Sequence, residues 1–191
     1  MKLTKKDLQN FVETLKETSI DNHDNKNIAY MTESQLSVIN FDDVKDNYIK
    51  GMGVEQPPNS NDVLFEDKNS NEYYFIEFKA GGIDPVKNVK IKFKIHDSLL
   101  ILLDILDKTI SFSRKSINYI LVYNKNQIHK SKHFDTSKSK SKDKIKGHVF
   151  KNANKELIRF DLERYKNLYF KNVHTYTIEE FENNFVKKFD K

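Results

Sequence analysis

Cysteine is absent from the 191 residues, which excludes disulfides and thiolate metal sites. Glycine and alanine are sparse beside lysine, asparagine and isoleucine, a bias that points to an AT-rich coding genome. No apolar run approaches the length a bilayer crossing needs, and the opening MKLTKKDLQNFVETLKE lacks the apolar centre of a signal peptide. The expectation is a soluble, cytoplasmic protein with no membrane partner. Disorder is excluded as well: 32% of residues are charged, but 14 phenylalanines and 9 tyrosines supply enough bulky apolar surface for a core. At this length the chain, 1–191, reads as a single domain.

Charge falls where it is least expected in residues 61–82, NDVLFEDKNSNEYYFIEFKAGG. Two short apolar strands, spaced as a hairpin, carry ionisable residues that a strand core should not tolerate. Asp62 opens the first; Glu77 and Lys79 stand near the end of the second. Alternate strand residues share a face, so Tyr73, Phe75, Glu77 and Lys79 point one way and Tyr74, Ile76, Phe78 and Ala80 the other. A run this apolar suits the centre of a sheet, where an unpaired carboxylate is costly or becomes neutral. A divalent cation relieves that cost, because hard cations take carboxylate oxygens as ligands. The plainer alternative is a solvent-facing Glu77 and Lys79 pair on an edge strand, with Gly81 and Gly82 as an ordinary turn.

In these residues the chain resembles the PD-(D/E)XK nuclease superfamily, over about residues 35–125. Asp62 matches the family's aspartate, Glu77 its second acidic residue and Lys79 its lysine. The family's aspartate often follows a proline, whereas Pro58 here stands four residues earlier. The resemblance implies a restriction-endonuclease-like α/β fold, a mixed central sheet flanked by helices. It implies catalytic roles for Asp62, Glu77 and Lys79, with Mg²⁺ or Mn²⁺ held by Asp62, Glu77 and the backbone carbonyl of Phe78. In some relatives a first-helix glutamate reaches the site; Glu13 or Glu17 would do so here, or remain a solvated charge.

Elsewhere the periodicity predicts a helix over 4–17, capped by Thr4 with Asp7 and striped by Leu8, Phe11, Val12 and Leu15. Residues 19–30 read as a polar loop, in which His23 beside Asp21 and Asp24 is more simply a loop residue than a ligand. Residues 35–50 read as a strand through QLSVINFDDV. A long helix is expected from about 87 to 110, followed by the strand 117–124; that order predicts a right-handed crossover to a parallel neighbour of the 73–80 strand. On the helix Lys92 and His96 share a face. They would contact a scissile phosphate, or form a solvated basic edge. The C-terminal part reads as an aromatic cluster of core residues, a short strand at Asn172–Tyr176, and a final helix opened by a Thr177 and Glu180 capping box.

Residues 129–147, HKSKHFDTSKSKSKDKIKG, carry seven lysines against two aspartates, a net +5 that equals the charge of the whole chain. Such a flexible basic loop would track a phosphate backbone without reading sequence, through Lys130, Lys132, Lys138, Lys140, Lys142 and Lys144, or would serve only solubility. Three functions follow as expectations. The first is a Mg²⁺- or Mn²⁺-dependent nuclease on nucleic acid, DNA ahead of RNA, with a homodimer as one arrangement for cutting two strands. The second is a catalytically inactive module of the same fold, from a mobile element or defence system, binding nucleic acid or protein. The third is a small α/β protein that binds another through its aromatic surface.

Overall fold

The structure, a computed structural model, describes residues 3–21, 29–81, 89–125 and 158–190. The basic loop lies outside the described residues, and so do Gly82, His23, His129 and His133.

The architecture is mixed α/β. Six strands form the main sheet: β1 (Val12–Thr14), β4 (Ser37–Asn40), β5 (Val63–Asp67), β6 (Glu72–Lys79), β7 (Ile117–Tyr123) and β8 (Asn172–Thr177), side by side in that order. From β1 to β6 neighbours run antiparallel; β6 with β7, and β7 with β8, run parallel. A separate ribbon pairs β2 (Ile20–Asp21) with β3 (Ala29–Tyr30). Every residue of β7 is buried, as expected of a parallel strand covered on both faces.

One face of the sheet packs under α2 (Phe41–Ile49), α3 (Val89–Leu106) and α4 (Ile110–Ser116), around Phe41, Leu64, Phe75, Ile95, Leu102 and Tyr119. The other packs under α1 (Leu15–Thr18) and the C-terminal helix α5, around Leu15, Val63, Ile76, Phe78, Phe181 and Phe185. In α5 the α-helical Ile178–Phe181 and Lys187–Phe189 flank a π-helical Glu182–Val186. The Thr177 and Glu180 capping box opens it as the sequence predicts. No described helix is long and apolar enough to cross a membrane.

Three predicted elements are redrawn. The first helix is instead a 3-10 segment, Lys5–Phe11, followed by β1 and α1. Leu8 and Leu15, assigned to one stripe, enter opposite cores, because β1 carries the chain along the sheet edge between them. Pairing of Val12, Glu13 and Thr14 with Ile39, Val38 and Ser37 outweighs helix propensity, and Val12 and Thr14 are β-branched. The strand expected through FDDV stops at Asn40, whose side chain accepts from the Asp43 N–H at 3.2 Å and caps α2. The long helix ends at Leu106. Asp107 adopts a left-handed conformation (φ 53°), and the Asp107 and Lys108 N–H groups reach the Asp104 and Leu103 carbonyls at 3.3 and 2.9 Å, a Schellman ending.

Candidate functional site

The hairpin of β5 and β6 sets the site. Its register ends on the pair Val63 with Ile76, and one step further Asp62 and Glu77 come opposite each other at the sheet's end. The backbone ahead of Asp62 is strapped to two helices. Asn59 N–H donates to Asp97 of α3 at 2.8 Å, the Ser60 hydroxyl donates to Asp42 of α2, and Asn61 N–H donates to the Ser98 hydroxyl at 2.8 Å. Asn61 and Ser98 are fully buried. Ser98→Ala therefore strands a buried N–H beside Asp62, and the expected loss is about 1–3 kcal/mol. Urea unfolding measures it, and an unchanged midpoint would show that the strap contributes nothing.

Asp62 accepts from the Phe78 N–H through Oδ2 at 2.6 Å. Its Oδ1 accepts from Lys94 Nζ of α3 at 3.0 Å. The same ammonium lies 2.8 Å from Glu77 Oε1 and 2.9 Å from Oε2. The Glu77 side chain is 3% exposed, that of Asp62 18% and that of Lys94 26%. Two carboxylates with one ammonium thus form an almost dry cluster under α3. The N–H and C=O of a residue in an extended strand turn to the same neighbour, so the Phe78 carbonyl opens toward the Asp62 side.

Burial, then the charge of Asp62, pushes the Glu77 carboxyl well above its usual range, and Lys94 only partly counters this. Burial also raises Asp62, against Lys94 and the Phe78 N–H. Lys94 is lowered by burial but raised more by Glu77 and Asp62, so its ammonium is secure. Between the ordinary and the raised carboxyl pKa the folded state holds protons that the unfolded chain has released, so stability falls as pH rises through that window. In Glu77→Gln, which leaves Asp62 and Lys94 as a one-to-one pair, the decline as pH rises above the ordinary carboxyl range is expected to flatten. Thermal unfolding across that window tests this, and identical slopes in both proteins would refute it.

Lys79 borders a cavity of about 360 Å³, together with Glu17, Asn40, Asp42, Asp62 and Phe78. It makes no ion pair among the described residues, and its charge acts on Glu77 through space. The predicted glutamates divide. Glu17 lines the cavity while its carboxylate accepts from Thr14 at the start of α1. Glu13 accepts instead from the Asn40 amide at 3.1 Å.

Lys92 and His96 are engaged elsewhere. Lys92 pairs with Asp161 at 3.1 Å, and the His96 ring meets those of Tyr165 and Tyr169 edge-on, with centroids 5.6 and 5.4 Å away. Lys94, which spacing arguments passed over, is the basic residue of α3 that reaches the carboxylates. It stands three residues after Ile91 and four before Ser98, both on the face that the packing of α3 buries. The lysines 130, 132, 138, 140, 142 and 144 lie outside the described residues.

Among the described residues no cluster of three or more acidic or histidine side chains is positioned to hold a metal ion. Mg²⁺ is nevertheless commonly held by one or two carboxylates, completed by water and substrate phosphate. Asp62, Glu77 and the Phe78 carbonyl form such an all-oxygen donor set. Asn61, adjoining Asp62, has both side-chain polar atoms buried without a described partner, and so does the Tyr119 hydroxyl, which is raised in pKa by burial and then by Glu77 and Asp62. The donor set therefore fits a hard cation, whose charge is supplied here by Lys94. Compared with known protein families, with curated proteins and with solved structures, the chain matches none.

Proposed function

We propose that this protein is a metal-dependent nuclease that hydrolyses phosphodiester bonds, in DNA ahead of RNA. The observation that carries the reading is the convergence of the Asp62 and Glu77 carboxylates on one cation at the end of the β5–β6 hairpin, beside a cavity bordered by Lys79. Asp62, Glu77 and the Phe78 carbonyl would hold Mg²⁺ or Mn²⁺. When bound, such an ion lowers the pKa of a water and offsets charge growing on phosphate oxygens. The Phe78 N–H fixes the Asp62 carboxylate in place, and burial under α3 keeps bulk water from Glu77. Lys79, which borders the cavity and makes no ion pair among the described residues, would orient a nucleophilic water or stabilise the developing phosphorane charge. The basic segment 129–147 would hold the polynucleotide by its backbone.

The test is cleavage of a panel of single- and double-stranded DNA and RNA with Mg²⁺ or Mn²⁺, beside Glu77→Ala and Lys79→Ala. Metal-dependent cutting lost in both variants supports the reading and names the substrate class. A second reading, an inactive module that binds nucleic acid or protein, is favoured by Lys94: its ammonium serves the carboxylate pair without any metal. Folded protein that retains nucleic acid but cuts nothing would select it.

A further inference from the structure

We infer that Lys94 is a built-in occupant of the cation site, so that a divalent ion binds only when this side chain withdraws. The inference rests on the metal-binding part of the proposed function, and not on cleavage.

The argument is one of available oxygens. Lys94 Nζ lies 2.8 and 2.9 Å from the two Glu77 oxygens and 3.0 Å from Asp62 Oδ1. The remaining carboxylate oxygen, Asp62 Oδ2, accepts from the Phe78 N–H at 2.6 Å. No carboxylate oxygen of the pair is thus without a partner. A divalent ion coordinates oxygen at roughly 2.0–2.6 Å, so it needs the same lone pairs, in the space the ammonium fills. An ammonium and a divalent ion cannot share the same lone pairs, and their mutual repulsion adds to the exclusion.

Withdrawal needs no movement of α3. Lys94 is a quarter exposed, and its four-carbon stem can carry the ammonium to water while the stem still covers apolar surface. Lys79 borders the cavity that Asp62 also lines, makes no ion pair among the described residues, and stays where a substrate phosphate would meet it. The two lysines therefore have separate tasks, Lys94 holding the carboxylates together and Lys79 facing the cavity. The apparent metal affinity would then be the intrinsic one reduced by the fraction of molecules in which Lys94 is out.

Mn²⁺ binding, read by the electron paramagnetic resonance of the free ion, tests this on the wild-type chain, Lys94→Met, Lys94→Arg and Glu77→Ala. Lys94→Met is expected to bind at least about tenfold more tightly than wild type, because no internal cation competes. Lys94→Arg keeps the competing charge and is expected to stay within about threefold of wild type. Glu77→Ala is expected to lose the site. Where Lys94→Met folds only with the ion present, a larger rise in Tm on adding Mn²⁺ than wild type shows is the same result. Equal affinity in Lys94→Met and wild type overturns the inference, as does a Lys94→Arg variant that binds tenfold more tightly. Absence of cleavage with Mn²⁺ bound would reject the nuclease reading and leave the competition intact.

Discussion

Glu77→Ala is expected to reduce metal-dependent cleavage by about 10³-fold or more, and Lys79→Ala by about 10²–10³-fold. Glu77 supplies the most deeply buried oxygens of the donor set, and its loss leaves Asp62 with Lys94 as a neutral pair that has no remaining demand for a divalent ion. Lys79 touches neither carboxylate in a described ion pair, so its removal should leave metal affinity near wild type and act on kcat. Single-turnover cleavage at saturating Mn²⁺, with circular dichroism to verify folding, separates the two. Cleavage by Glu77→Ala at the wild-type rate would remove the carboxylate pair from the chemistry. A Lys79→Ala variant impaired only in metal binding would make Lys79 a site-shaping residue and not a catalytic one.

Phe75→Ala should cost about 3–5 kcal/mol, against a total stability of about 5–15 kcal/mol for a domain of this kind. Phe75 is fully buried on the β6 face that carries Glu77, and it meets the equally buried Phe41 edge-on, with centroids 5.0 Å apart at 83°. Truncation opens a cavity between the sheet, α2 and α3, and α3 is the helix that carries Lys94 to the carboxylates. Guanidinium unfolding should show a lower midpoint with an unchanged m-value. A loss below about 1.5 kcal/mol would mean that α2 and α3 collapse into the space, and that the core beneath the site is more plastic than the packing indicates.

The central part of the fold was legible because local and tertiary signals agree there. In β6 and β7 the β-branched and aromatic residues favour strands, and both strands end up in the middle of the sheet. The parallel pairing of β6 with β7 followed from the helical pattern between them. At the N-terminus the signals conflict: Leu8, Phe11, Val12 and Leu15 have helical spacing, but only the presence of β4 turns Val12–Thr14 into an edge strand. Asp62 and Glu77 could be paired from hairpin spacing alone. Lys94 could not be chosen over Lys92, because both lie on the same helix and only the packing of Ile91, Ile95 and Ser98 shows which lysine sits at the rim of the inward face.

The strap and the hairpin also divide between them the work of building the site. Asp62 and Glu77 are brought together by adjacent strands joined by a short turn through Asn71, which adopts a left-handed conformation (φ 55°). Pairings so close in sequence cost little loop entropy and form readily. The hairpin by itself would leave both carboxylates in water, where their mutual repulsion is weak. Their cover comes from α3, which places Ser98 on the Asn61 N–H and Lys94 between the carboxylates. Coverage by α3, rather than the hairpin itself, is therefore what turns two acids at a sheet end into a strongly interacting pair.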